Sequence, residues 1–191
     1  MRDNNLVQTS SAFLPSGEQM WFLEPTRTRI RPEDVKNNLG NLCRYNGGIK
    51  WSVLQHSILC LALAKAHDIP EELWPLIAAH DFAEAYIGDL PTGLKQVLPE
   101  WKALIEAPWE EHVNRSLGLP WPVSEKDHRQ VKFIDHRALV IEMIIYGWPE
   151  AAETAEKYGG PPSNIERVAY QRVMQGNISW EDIRALLPGW E

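Results

Sequence analysis

Residues 52–67, SVLQHSILCLALAKAH, set the class of fold. Val53, His56, Cys60 and Leu63 recur at intervals of three and four, so they share one face of an α-helix, and Ser52 stands where an N-cap belongs. Inside the segment lies the longest purely apolar run of the chain, Ile58 to Ala64. At seven residues it is too short to cross a bilayer, so it reads as core, and no membrane span is expected.

The helical period continues outward in both directions. Upstream, Pro32 to Leu42 reads as a helix with proline at its start and Glu33 and Asp34 in its first turn, followed by the loop RYNGGIKW. Residues 1–31 are polar and broken by Pro15, Gly17 and Pro25, and are expected to be an N-terminal extension in which Met20 to Leu23 form a short strand or packing arm. Downstream, a third helix is predicted over Glu71–Tyr86, stopped by Gly88. Pro91 opens a short segment, and Pro99 opens another that Pro108 must bend or break. The longest helix should span Ser124 to Tyr146, with Val131, Asp135, Ala138 and Glu142 along one side. Stretches near 163–175 and 179–187 close the chain, the last capped by Ser179. The expected architecture is all-α, a single-domain helical bundle over residues 32–191.

Composition narrows the function. The 191 residues are 44% hydrophobic and 24% charged, enough apolar mass for a real core. A net charge of −7 argues against a nucleic-acid polymer as partner, because such binding draws on a basic surface. Cys43 and Cys60 are the only cysteines, too few for a disulfide framework, so both are expected to be reduced thiols in a cytoplasmic protein. MRDNNLVQTSSAF has no basic stretch followed by an apolar one, so no signal peptide is expected.

Four polar residues fall where helical spacing predicts burial: His56, the adjacent His80 and Asp81, and Asp135. Imidazoles and carboxylates from three helices can converge only inside a bundle, where a divalent cation would offset their desolvation. Taken singly, a histidine on an apolar face is more often a hydrogen-bonded core residue than a ligand. A second dipeptide, His67-Asp68, lies at a helix end and is expected to be solvated. Glu84, one turn from His80 and Asp81, is placed to orient a water or carry its proton.

These residues resemble the HD-domain metal-dependent phosphohydrolases, named for a His, His-Asp, Asp ligand set. HDFAEAYIGDLPTGLK at 80–95 is similar to the branch containing bacterial 5'-deoxynucleotidases and phage deoxynucleoside triphosphate hydrolases. LCRYNGG, SVLQHS and VKFIDHRALVIEM extend the likeness over roughly residues 16–146, and FLEPTRTRIRPEDV is similar to the entry segment of phage-type members that act on dATP. The resemblance implies metal ligation by His56, His80, Asp81 and Asp135, with Glu84 handling the catalytic water. It further implies Asp89 on the sugar 3'-hydroxyl, Lys95 and Arg44 at the phosphates, and Tyr45 or Trp51 near the base. Lys50 and Arg137 are further candidates for the phosphates, and Trp21, in the entry segment, for the base. Two imidazoles favour cobalt, manganese or zinc in the centre, with magnesium accompanying a triphosphate. Family members carry Glu directly before the first ligand His, where this chain has Gln55, and their loop before that His is about two residues longer.

The expected activity is therefore hydrolysis of deoxynucleotides at the α-phosphate, releasing deoxynucleoside and triphosphate from dATP-type substrates, with 5'-deoxynucleotidase action on monophosphates as the alternative. A homo-oligomer is implied by the resemblance. A two-metal centre recruiting His112, His128 or His136 is a further option, although His136 points about 100° away from Asp135 on a helix. A helical interaction module with a polar core is the non-enzymatic one.

Overall fold

The computed structural model describes residues 10–190. Residues 1–9, the start of the predicted extension and of the segment read for a signal peptide, lie outside the described residues, as does residue 191. Among the described residues the protein is all-α apart from one two-stranded hairpin, β1 (Ser11–Phe13) and β2 (Gln19–Trp21). No helix among the described residues is long and apolar enough to cross a membrane. The described residues gather into two compact units, each drawn from separated stretches of chain: 10–55, 81–121 and 188–190 in the first, 56–80 and 122–187 in the second.

The first unit holds the hairpin, α1 (Pro32–Asn41), α4 (Glu84–Ile87), α5 (Thr92–Val97) and α6 (Ala107–Ser116). Residues 10–31 are built into it. The buried carboxylate of Asp34 in α1 accepts hydrogen bonds from the Ser16 backbone N–H and hydroxyl at 3.0 and 2.8 Å, so burying that acid fixes the hairpin turn. On α6, Trp109 Nε1 donates to the Phe22 carbonyl, and His112 Nε2 lies 2.7 Å from the Thr28 carbonyl. Tyr86 stacks on Trp109 and Phe82 on Trp190, which explains part of the high tryptophan content as core packing. Asn38 donates to the Ala85 carbonyl and ties α1 to α4. Pro108 cannot donate to the carbonyl four residues back, and the predicted bend takes the form of a π-helical turn at Lys102–Glu106.

α2 (Val53–Ala66) starts in a capping box: the Ser52 hydroxyl accepts from the Gln55 N–H, and the Gln55 side chain accepts from the Ser52 N–H at 2.9 Å. The second unit contains the rest of α2 and α3 (Trp74–Ala78), α7 (Glu125–Ile145), α8 (Ala151–Lys157), α9 (Asn164–Met174) and α10 (Trp180–Arg184). Ser124, Ser163 and Ser179 cap α7, α9 and α10, the last two in capping boxes with Glu166 and Asp182. Leu59, Leu63, Ile77, Ile134, Val140, Ile183 and Leu187 are fully or almost fully buried and form its core.

Two expectations need correction. The helix predicted over 71–86 is not continuous: a 3₁₀ turn at Glu71–Leu73 leads into α3, residues 79–83 are turns, and α4 follows. His80 Nδ1 bonds the Ile77 carbonyl at 2.7 Å, and the next backbone bonds tighten, Glu84 N–H to Asp81 and Ala85 N–H to Phe82. A side chain that takes a carbonyl from the helix ladder breaks the α pattern there. Nor is His67 simply solvated. Its Nε2 lies 3.0 Å from Glu166 Oε1, in a cluster where Arg137 grips both Glu166 oxygens at 2.6 and 2.9 Å and donates to the Tyr158 and Gly160 carbonyls.

This cluster carries a stability prediction. Burial alone would raise the Glu166 carboxyl, but hydrogen bonds from Arg137, the Ser163 N–H and His67 outweigh it and hold it at about 2. Because the folded value is depressed, the stabilisation is complete above the ordinary glutamate range and is lost as pH falls toward 2. Arg137→Met leaves a buried carboxylate unbalanced and should cost about 3–5 kcal/mol, lowering Tm by on the order of 10 °C. Calorimetry on Arg137→Met and on Arg137→Met/Glu166→Met checks this: the double variant should recover most of the loss.

Candidate metal centre and acid-base cluster

The second unit brings His56, His80 and Asp135 together from α2, the turn after α3, and α7. Asp135 Oδ1 lies 3.3 Å from His56 Nε2 and 3.8 Å from His80 Nε2, while its Oδ2 accepts from Lys132 at 2.9 Å. The other ring nitrogens point away from this space. His56 Nδ1 is 2.7 Å from Glu142 Oε1, and His80 Nδ1 bonds the Ile77 carbonyl. Both acceptors are oxygens without protons to give, so each Nδ1 carries the hydrogen, and in the neutral rings each Nε2 presents a lone pair. Two lone pairs and a carboxylate oxygen then face one another. Such a set repels itself unless protons or a cation lie between, and it fits the donor chemistry of a divalent transition metal.

The same geometry sets the charge of Asp135. When protons rather than a cation occupy the two Nε2 atoms, burial alone would raise its carboxyl, but hydrogen bonding and positive charge from the protonated His56 and His80 hold it far below the usual carboxylate range. Cys60, one turn after His56 on α2, adds a sulfur 3.4 Å from His56 Nε2. The ligand atoms of His56, Cys60 and His80 all lie within 4.8 Å of one another, close enough to hold one metal ion. Cys43 and Cys60 form no disulfide, as expected.

Glu142 was legible only as a polar residue on the Asp135 face of α7; its pairing with His56 was not anticipated. Glu142 places its carboxylate at His56 Nδ1, while Gln55 is spent on the capping box. Both His56 and Glu142 are essentially inaccessible to solvent. Glu142→Gln should keep the fold but weaken metal binding about 10–100-fold, since a carboxylate orients a ligating imidazole and raises its basicity. Titration calorimetry with cobalt measures it, and an unchanged affinity would remove Glu142 from the centre.

The first unit holds the other predicted residues. Asp81, next in the chain to His80, faces Arg44 at 3.5 Å. Arg44 also lies over the Tyr45 ring, at 5.2 Å. Tyr45, Asn46 and Gly47 all take left-handed backbone angles, with φ of 57°, 55° and 76°. That conformation strains a tyrosine, and the antiparallel bridge between Cys43 and Ser52 holds the loop ends in place. One Trp21 face is covered by the Arg27 guanidinium, 3.7 Å from the ring centroid.

Glu84 opens α4, and its Oε2 is buried without a hydrogen-bond partner among the described residues. Burial pushes its carboxyl well above the ordinary glutamate value, and the like charges of Asp81 and Asp89 add to this, against Lys95 and Arg44. Burial and the two neighbouring carboxylates therefore favour the acid form of Glu84 over the charged one. Lys95 Nζ is 4.0 Å from Glu84 and 2.5 Å from Glu106, the last residue of the π-helical turn. Burial alone would lower Lys95, but Glu106, Glu84 and Asp81 raise it, so it stays cationic. No side chain caps α5.

No family model matches the chain. It is similar to YfdR, an uncharacterized protein of Escherichia coli, at 32% identity over 107 residues, covering 55% of this chain and 57% of YfdR. The chain thus spans little more than half of that relative's length. It is also similar to an uncharacterized protein of Rhodobacter capsulatus, at 29% identity over 157 residues, 78% of this chain and 79% of the relative.

Proposed function

We propose that the protein is a metal-dependent phosphohydrolase that cleaves deoxynucleotides at the α-phosphate, in the first place a dATP-type deoxynucleoside triphosphate to deoxynucleoside and triphosphate. One observation carries the proposal: the Nε2 atoms of His56 and His80 face the same oxygen of Asp135, while Glu142 and the Ile77 carbonyl occupy their Nδ1 positions. Nothing in a packing-only core demands that arrangement.

A bound divalent cation would offset the phosphate charge and lower the pKa of a bound water. His56, His80 and Asp135 would hold it, with Asp81 as the fourth ligand that the resemblance implies. Glu84, its carboxyl raised by burial and by its acidic neighbours, is the proton carrier and can protonate the departing 5'-oxygen of the sugar. Arg44 and Lys95 supply positive charge for the phosphates, Asp89 receives the sugar 3'-hydroxyl, and Tyr45 or Trp21 meets the base. The substrate is a soluble metabolite, which agrees with a cytoplasmic location and with the unfavourable charge for binding polymers. The homo-oligomer is part of the same proposal.

A specific observation favours the monophosphate alternative. Lys95 is engaged by Glu106 and Glu84, which reduces the positive charge on offer to a triphosphate tail. Incubating the protein with dNMPs and dNTPs plus cobalt, and separating the products, decides between them. Deoxynucleoside with triphosphate supports the first activity, and phosphate from dNMPs alone supports the second. Pyrophosphate with dNMP, or no hydrolysis, would sink both.

A further inference from the structure

One donor beside His56 has no place in the His, His-Asp, Asp set. Cys60 follows His56 by one turn of α2, so helix geometry alone keeps the two side chains on one face. Its thiol is fully buried, with Sγ 3.4 Å from His56 Nε2. Donors bound to one tetrahedral ion at about 2.0–2.3 Å lie roughly 3.3–3.8 Å from one another. The separations of 3.4 Å for His56 to Cys60, 3.3 Å for His56 to Asp135 and 3.8 Å for His80 to Asp135 match that spacing.

We propose that Cys60 is a thiolate ligand of the metal centre, and that it makes the site selective for zinc or cobalt over magnesium or manganese. The inference rests on the metal centre proposed above. On binding, the thiol gives its proton to solvent and its sulfur lone pair to the metal, with no change of oxidation state. Soft sulfur favours zinc and cobalt, whereas hard magnesium and manganese gain little from it. Without a metal, the same distance suits a weak S–H donor to His56 Nε2, so the thiol has a role in both states.

The test is the absorption spectrum of the full chain titrated with cobalt(II). Thiolate ligation gives a sulfur-to-cobalt charge-transfer band in the near ultraviolet and intense visible bands of tetrahedral cobalt. The chain has two cysteines, so a band that survives Cys43→Ser and vanishes in Cys60→Ser assigns the ligand. Cys60→Ser should also lose zinc affinity by at least the ~10–100-fold typical of disturbing an outer partner, with magnesium binding unchanged. If Cys60→Ser fails to fold, the wild-type and Cys43→Ser spectra decide alone. Bound cobalt with no charge-transfer band, or a band lost in Cys43→Ser, overturns the role of Cys60 and leaves the centre standing. A wild-type chain that binds no cobalt overturns the centre itself.

Discussion

Replacing His80 with alanine should strip the protein of cobalt and abolish turnover while leaving it folded. His80 is the safer of the two imidazoles to remove. His56 pairs with the buried Glu142, so its loss would leave an unbalanced carboxylate in the core and confuse metal loss with unfolding. His80 gives up its bond to the Ile77 carbonyl, its ring contact with His56 and its approach to Asp135, which keeps His56 and Lys132 as neighbours. Metal content after dialysis should fall from about one ion per chain to almost none, a larger loss than the ~10–100-fold cost of an outer partner. If the cation stabilises the transition state by about 4 kcal/mol, turnover should fall on the order of 10³-fold. Cobalt should raise the melting temperature of the wild type and not that of His80→Ala. A His80→Ala protein that still holds one cobalt would mean that these imidazoles are core packing, and the phosphohydrolase proposal would fall with them.

How far the sequence reaches is clearest along α2 and α7. Their apolar periods are long and their serine caps unambiguous, so both helices and the shared face of Asp135 and Glu142 could be read directly. The break at residues 79–83 could not, because the apolar spacing runs on through it. It is made by a hydrogen bond from a side chain whose partner, the Ile77 carbonyl, is invisible to periodicity. α8 went unread for a different reason: AAETAEK offers a sparse apolar face, Ala151 and Ala155, between glycine- and proline-rich stretches that resemble loops. The salt-bridged roles of His67, Arg137 and Glu166 depend on contacts distant in sequence. A dipeptide at a helix end gives no warning of them. The site shows the same division. Residue type and spacing pointed to His56, His80 and Asp135, whereas the support of Glu142 and the approach of Cys60 needed coordinates.

Glu84→Gln is expected to separate chemistry from metal binding. Glutamine keeps the volume of the side chain and removes only the titrating proton, so cobalt content and melting temperature should match the wild type. Turnover should fall by about 10²–10⁴, the usual worth of a positioned proton donor. The pH profile gives an independent reading. Because burial, Asp81 and Asp89 raise the Glu84 carboxyl, wild-type activity should decline as pH climbs through that raised value rather than through the ordinary glutamate range. Lys95 opposes the shift by favouring the charged carboxylate. Lys95→Met therefore raises the Glu84 value further and moves the alkaline decline to higher pH, while substrate binding weakens. Glu84→Gln, having nothing to titrate, should lose that decline altogether from its residual rate. Near-normal turnover in Glu84→Gln, or an alkaline limb indifferent to both substitutions, would show that the proton is carried by another group.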